Sequence, residues 1–91
     1  MSNPELGGWG GWNFTLSRTD IRVFGLAVKG LLGVKYTPLG VARQVVAGVN
    51  FCFLCSGKPV YPDASEVAVK IYIYQPPEGV PHVTHIERIT P

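Results

Sequence analysis

The two cysteines of this 91-residue chain, Cys52 and Cys55, and its two histidines, His82 and His85, are each three positions apart. Cys-x-x-Cys is the spacing of redox and zinc motifs, and a thiolate beside an imidazole is a pair that attacks acyl groups. The surroundings argue against that chemistry. Cys52 and Cys55 lie in Val49-Asn50-Phe51-Cys52-Phe53-Leu54-Cys55, an apolar run that reads as a strand. Side chains alternate along a strand, so positions three apart point to opposite faces and these sulfurs should neither pair nor share a metal. A redox pair normally opens a helix, and none begins here. Unpaired thiols are expected, at least one of them buried as a small hydrophobe. The same alternation separates His82 from His85, and no carboxylate cluster accompanies them. A pair such as Cys55 with His85 would need an activated thiolate and an orienting third group. No catalytic residue, metal or cofactor is therefore expected, and the chain reads as a non-enzyme.

The composition, 46% hydrophobic and 15% charged with 11 glycines and 8 prolines, suits one sheet-dominated domain over residues 1–91. It is too apolar for a disordered chain and too rich in turn residues for a helical bundle. Eight basic and six acidic residues give a formal charge of +2 with no Lys/Arg stripe, so no nucleic-acid partner is expected. No segment approaches the roughly 18 apolar residues that span a bilayer, and no membrane partner is expected. Residues 1–11 lack a basic patch followed by an apolar stretch, so no signal peptide is visible. With no evident disulfide framework, a cytoplasmic location is favoured.

The elements that must position any site follow from periodicity. Residues 1–11 read as a flexible N-terminal trunk, and Trp12-Asn13-Phe14-Thr15-Leu16 as a short first strand. Thr19 is a plausible N-cap with Asp20 in the first turn. Phe24, Val28, Leu31 and Leu32 then recur at helical spacing, with Gly33 as the expected end of the helix. Lys35 to Val46 reads as a long strand bent near Pro38 and Gly40, and Val49 to Cys55 as the next. In Glu66 to Tyr74, Val67, Val69, Ile71 and Ile73 line one face. Gln75 to Pro81 is a proline-rich loop, and His82 to Ile89 a last strand. Short connections between consecutive strands make an antiparallel meander, with the helix on its aliphatic face. The class is α+β: a four- to five-stranded antiparallel sheet wrapped around one helix. Trp12, Phe24, Tyr36, Phe51, Tyr72 and Tyr74 all fall in these elements and are expected to pack.

One turn breaks the usual rule. Hairpin turns favour Asn, Asp and Gly, which tolerate positive φ and keep the backbone hydrated. Gln44-Val45-Val46-Ala47-Gly48 offers three apolar side chains before its glycine. Apolar surface on a turn is wasted on water unless something covers it.

Gln-x-Val-x-Gly between two strands, after a single helix, resembles the signature of the cystatin superfamily, and the stefin-like single-domain members in particular. The likeness runs from about Gly10 to Ile89. Val49-Asn50-Phe51 follows the motif much as Val/Thr-Asn-Tyr often does in the family. Gly10-Gly11-Trp12 is similar to the family's N-terminal Gly-Gly trunk, and Gln75-Pro76-Pro77-Glu78-Gly79 falls where its second hairpin loop lies. Pro77 stands where a Trp is common, and the helix is shorter than in typical members. The resemblance implies a cystatin-like fold and a reversible, non-covalent inhibitor of papain-like cysteine proteases. In it Gly10, Gly11, Trp12, Gln44, Val45, Val46, Ala47, Gly48, Pro76 and Pro77 would form an apolar wedge that fills the protease cleft. The implied partner is a papain-like protease, with the inhibitor a monomer or a dimer swapped through the apolar hairpin. The alternative is a structural or peptide-binding module of the same fold without inhibitory activity.

Overall fold

Runs of β-branched and aromatic residues, broken by Gly- and Pro-containing turns, set out four strands after one short helix. A computed structural model describes residues 7–90 and contains α1 (Arg18–Val28), β1 (Val34–Val46), β2 (Gly48–Pro59), β3 (Val67–Gln75) and β4 (His82–Ile89). Of the trunk expected over residues 1–11, residues 1–6 lie outside the described residues. The four strands form one antiparallel sheet in the order β1-β2-β3-β4, which makes the domain α+β.

Three expectations about the N-terminal half are corrected. Trp12 to Leu16 is not a strand. Only isolated bridges, Trp9 to Gln44 and Asn13 to Val41, join this part of the chain to β1. The Asn13 side chain accepts from the Thr15 N–H at 2.9 Å, a local bond that turns the chain towards the helix instead. The N-cap is Ser17 rather than Thr19. Its hydroxyl accepts from the Asp20 N–H at 3.1 Å, while the Asp20 carboxylate accepts from the Ser17 N–H at 2.9 Å, a complete capping box. The helix stops at Val28 with Lys29 as C-cap, so Leu31 and Leu32 lie beyond it and Gly33 belongs to the connector.

One face of α1 supplies Val23 and Phe24, which meet Val41, Phe51, Phe53, Cys55, Val69, Ile71 and Ile73 from the sheet. Phe53 and Ile71 are wholly buried, and the Phe24 ring meets that of Phe53 edge-on at 5.0 Å. Fully burying each such side chain contributes about 1.5–3 kcal/mol. The remaining expected core aromatics divide. Phe51 is buried, Tyr36 half-buried, and Tyr72 and Tyr74 lie on the sheet face away from α1. Trp12 stays 44% exposed.

Two irregularities steer the sheet. The β1–β2 register shifts between Pro38 and Gly40, at the expected bend. The β3–β4 register shifts beside Thr84, where Tyr72 opposes His85 and Tyr74 opposes His82. The extra residue restores phase, so His82 and His85 share a face rather than straddling the strand. The His82 ring meets Tyr74 edge-on at 5.8 Å, and the His85 ring lies tilted against Tyr72 at 5.7 Å.

The cap assignment separates two substitutions. Ser17→Ala should lower unfolding free energy by about 1 kcal/mol, and Thr19→Ala by less than about 0.5 kcal/mol. Urea denaturation of both variants checks this, and equal effects would point to a different cap.

Candidate functional site

Antiparallel pairing brings three segments to one end of the sheet. Val46 opposes Gly48 and Val45 opposes Val49, which leaves Ala47 alone at the tip of the β1–β2 hairpin. Val49 opposes Gln75, so β3 ends beside that tip and the loop 76–81 springs from the same edge. The Tyr74 hydroxyl donates to the Ala47 carbonyl and ties the two turns together. Gly48 has φ +99°, and a Cβ there would come within 2.4 Å of the Gln75 carbonyl oxygen. Backbone conformation and backbone approach both exclude a side chain at this position.

The third segment is the N-terminal chain, which runs antiparallel along the outer edge of β1. The Gly7 N–H donates to the Val45 carbonyl at 2.9 Å, Gly10 to Arg43 at 2.8 Å and Asn13 to Val41 at 2.8 Å. Gly7 and Gly8 are therefore the glycines beside the hairpin tip. Gly10, Gly11 and Trp12 lie farther down β1, because pairing with β1 stops at Asn13 instead of continuing to Leu16. A Cβ at Gly11 would meet nothing within 4 Å, whereas Gly7 has φ +85°. Counting back from the helix, as the sequence alone permits, selects Gly10-Gly11, which lie farther along β1 from the hairpin tip than Gly7-Gly8.

Gln44 acts as a clamp. Its side-chain N–H donates to the Gly7 carbonyl at 2.6 Å, and its side-chain oxygen accepts from the Asn50 amide at 2.8 Å. Gln75 does the same for the second loop, donating to the Pro76 and Gly79 carbonyls, both at 3.0 Å. The sequence places Asn50, Tyr74 and Gln75 in strands and a loop without giving them this clamping role. A polar side chain at a strand end beside a turn is the one local sign of such a role. The exposed surface of this edge is apolar: Val45 is 45% exposed and Val80 72%, with Ala47 and Pro77 also open. Glu78 is the one charged residue in either turn. Val80 was missed because its loop reads simply as proline-rich.

The cysteines take no part in this edge. Both are free and buried, Cys55 in the core under α1 and Cys52 on the opposite face beneath Trp9 and Tyr72. Burial pushes the Cys55 thiol up from its ordinary 9.0 to about 12, and burial raises Cys52 as well. Neither is a nucleophile near neutral pH. Among the described residues no three His, Cys, Asp or Glu side chains cluster as metal ligands would. Shallow clefts of about 320 and 220 Å³ on the open sheet face share Trp9 and Tyr72. The projecting edge presents apolar side chains on turns fixed by hydrogen bonds.

Removing the clamp should loosen the N-terminal segment. Gln44→Ala leaves the Gly7 carbonyl and the Asn50 amide unpartnered, a loss of about 1–1.5 kcal/mol, so amide exchange at Gly7 and Gly10 should quicken about tenfold. Unchanged protection would mean that the backbone bonds alone hold the segment. The cysteines give a second test. A thiol whose pKa is raised by folding stabilises the native state at low pH, and that contribution drains away as pH climbs from 9.0 towards about 12. Across that window, stability measured by urea titration should fall more steeply in the parent chain than in Cys55→Ala.

Comparison with protein-family models, with curated proteins and with solved structures returned no match for this chain.

Proposed function

We propose that the chain is a cystatin-like, reversible and non-covalent inhibitor of papain-like cysteine proteases, with the β1–β2 hairpin as the blocking wedge. One observation carries the proposal: an apolar turn, with Val45 45% exposed, is held from both sides by hydrogen bonds through Gln44 and Tyr74. A turn fixed in this way loses little entropy on docking, so burial of its surface converts efficiently into affinity. Covering Val45, Ala47 and Val80 would contribute roughly 1.5–3 kcal/mol for each large aliphatic group.

Each segment then has a distinct task. Val45 and Val46 supply contact area, and Ala47 leads into the cleft without bulk. Gly48 permits the turn, Pro76 and Pro77 stiffen the second loop, and Val80 adds apolar surface to that loop. Gly7 and Gly8, beside Val45, serve as the trunk, with Trp9 next to them as an anchor of the kind often found at interfaces. No group on the wedge attacks the enzyme, and inhibition rests on occupancy alone. The second reading, a binding module without inhibitory activity, draws on the clefts flanked by Trp9 and Tyr72 on the open sheet face.

Titrating papain with the purified protein and a small fluorogenic substrate separates the two. Activity should be lost near stoichiometric ratios. Val45→Asp should weaken inhibition at least about a hundredfold while moving the melting temperature by less than about 3 °C, since the side chain is half exposed. No inhibition at micromolar protein would overturn the inhibitor reading and favour the binding module.

A further inference from the structure

The end of the sheet opposite the hairpin concentrates exposed apolar and basic side chains that the protease reading does not use. Leu32, on the connector after α1, is 91% exposed, and Val60 and Tyr61, on the loop after β2, are 74% and 65% exposed. The Val60 N–H donates to the Gly33 carbonyl at 3.1 Å, so the two loops abut and these side chains form one tip. A single exposed aliphatic residue is ordinary, but a cluster on adjoining loops marks a contact surface.

Basic charge lies beside the tip. Lys35 and Lys58 are direct cross-strand partners, an arrangement that destabilises a sheet unless something offsets the repulsion. Neither lysine forms an ion pair: among the described residues the one salt bridge is Arg43 with Asp20. Both line an open cleft of about 410 Å³ together with Pro59, Val60, Tyr61 and Pro62. Asp63 and Glu66, in the following loop, do not line it. Paired ammonium groups in one cleft match an anionic oxygen group, and the apolar tip next to them matches hydrocarbon.

We propose that this end docks on an anionic phospholipid bilayer, with Leu32, Val60 and Tyr61 entering the boundary between headgroups and acyl chains while Lys35 and Lys58 bind lipid phosphates. Apolar points flanked by lysines are complementary to both layers of such a surface, and tyrosine suits the depth where the two meet. The expectation of no membrane partner rested on the lack of a spanning segment, and among the described residues no helix is long and apolar enough to cross a membrane. Surface docking through loop tips needs none. The proposal does not depend on the protease reading, because β1 runs from Val34 at this end to Val46 at the other, and docking leaves the hairpin in water.

Co-sedimentation of the full chain with phosphatidylcholine vesicles, with and without phosphatidylserine, tests this. Binding should require phosphatidylserine and weaken as salt is raised, since exposed charges are screened over about 10 Å at 0.1 M. Leu32→Ser with Tyr61→Ser, and separately Lys35→Gln with Lys58→Gln, should each reduce binding at least about tenfold. All four sites are on the surface, and unchanged melting would show that the variants fold. No phosphatidylserine-dependent binding, or binding indifferent to both variants, would overturn the proposal. So would chemical-shift changes at Lys35 and Lys58 with inorganic phosphate but no association with vesicles, which would point to a soluble anion instead.

Discussion

A buried carboxylate organises this fold. Asp20 is 1% exposed, and burying a charge is costly unless it is paired and hydrogen-bonded. Asp20 is satisfied twice. One oxygen closes the capping box with Ser17, and the other takes the guanidinium of Arg43 from β1. Arg43 in turn lies 5.6 Å over the Phe51 ring on β2, and its carbonyl accepts the Gly10 N–H. One ion pair thus links helix start, two strands and the N-terminal segment. It also selects the register of β1: a one-residue slip would carry Arg43 to the open face and leave Asp20 buried without a counter-ion.

The hairpin follows from that choice. With Arg43 facing the helix, Gln44 must face the other way, where Asn50 and the Gly7 carbonyl meet it. Val45 returns to the helix side but lies past the helix start, with nothing above it. The apolar exposure at the tip is therefore a geometric outcome of strand length: β1 extends beyond the helix that covers its middle. The same sheet is covered at its centre and bare at both ends, where Val45 and Val80 at one end and Leu32 and Val60 at the other stay exposed.

How much of this could be read from the chain depends on whether the governing contacts are local. The alternation of Val67, Val69, Ile71 and Ile73 has a single physical meaning, and those residues do face the helix. The apolar turn at Val45-Val46-Ala47 was legible because it violates turn chemistry. Capping at Ser17 was within reach, since Ser17 and Asp20 have the spacing of a capping box, but Thr19 stood closer to the apolar run. The side on which His85 lies was not legible, because it depends on a bulge in the pairing of β3 with β4 that no local pattern announces. The choice between Gly7-Gly8 and Gly10-Gly11 was likewise set by where pairing with β1 ends. The exposed tip of Leu32, Val60 and Tyr61 escaped notice for a similar reason, as its members are distant in sequence.

The sheet is a meander, so each strand pairs with its neighbour in sequence and every ladder can zip outward from a short turn. The N-terminal segment is the exception. The bond from Gln44 to the Gly7 carbonyl closes a separation of 37 residues and reaches around the whole of α1. Contacts of long sequence separation carry the larger loop-closure entropy, and edge segments held by few bonds open at low free energy. The segment beside the hairpin is accordingly the last part of the edge to assemble and the first to fray.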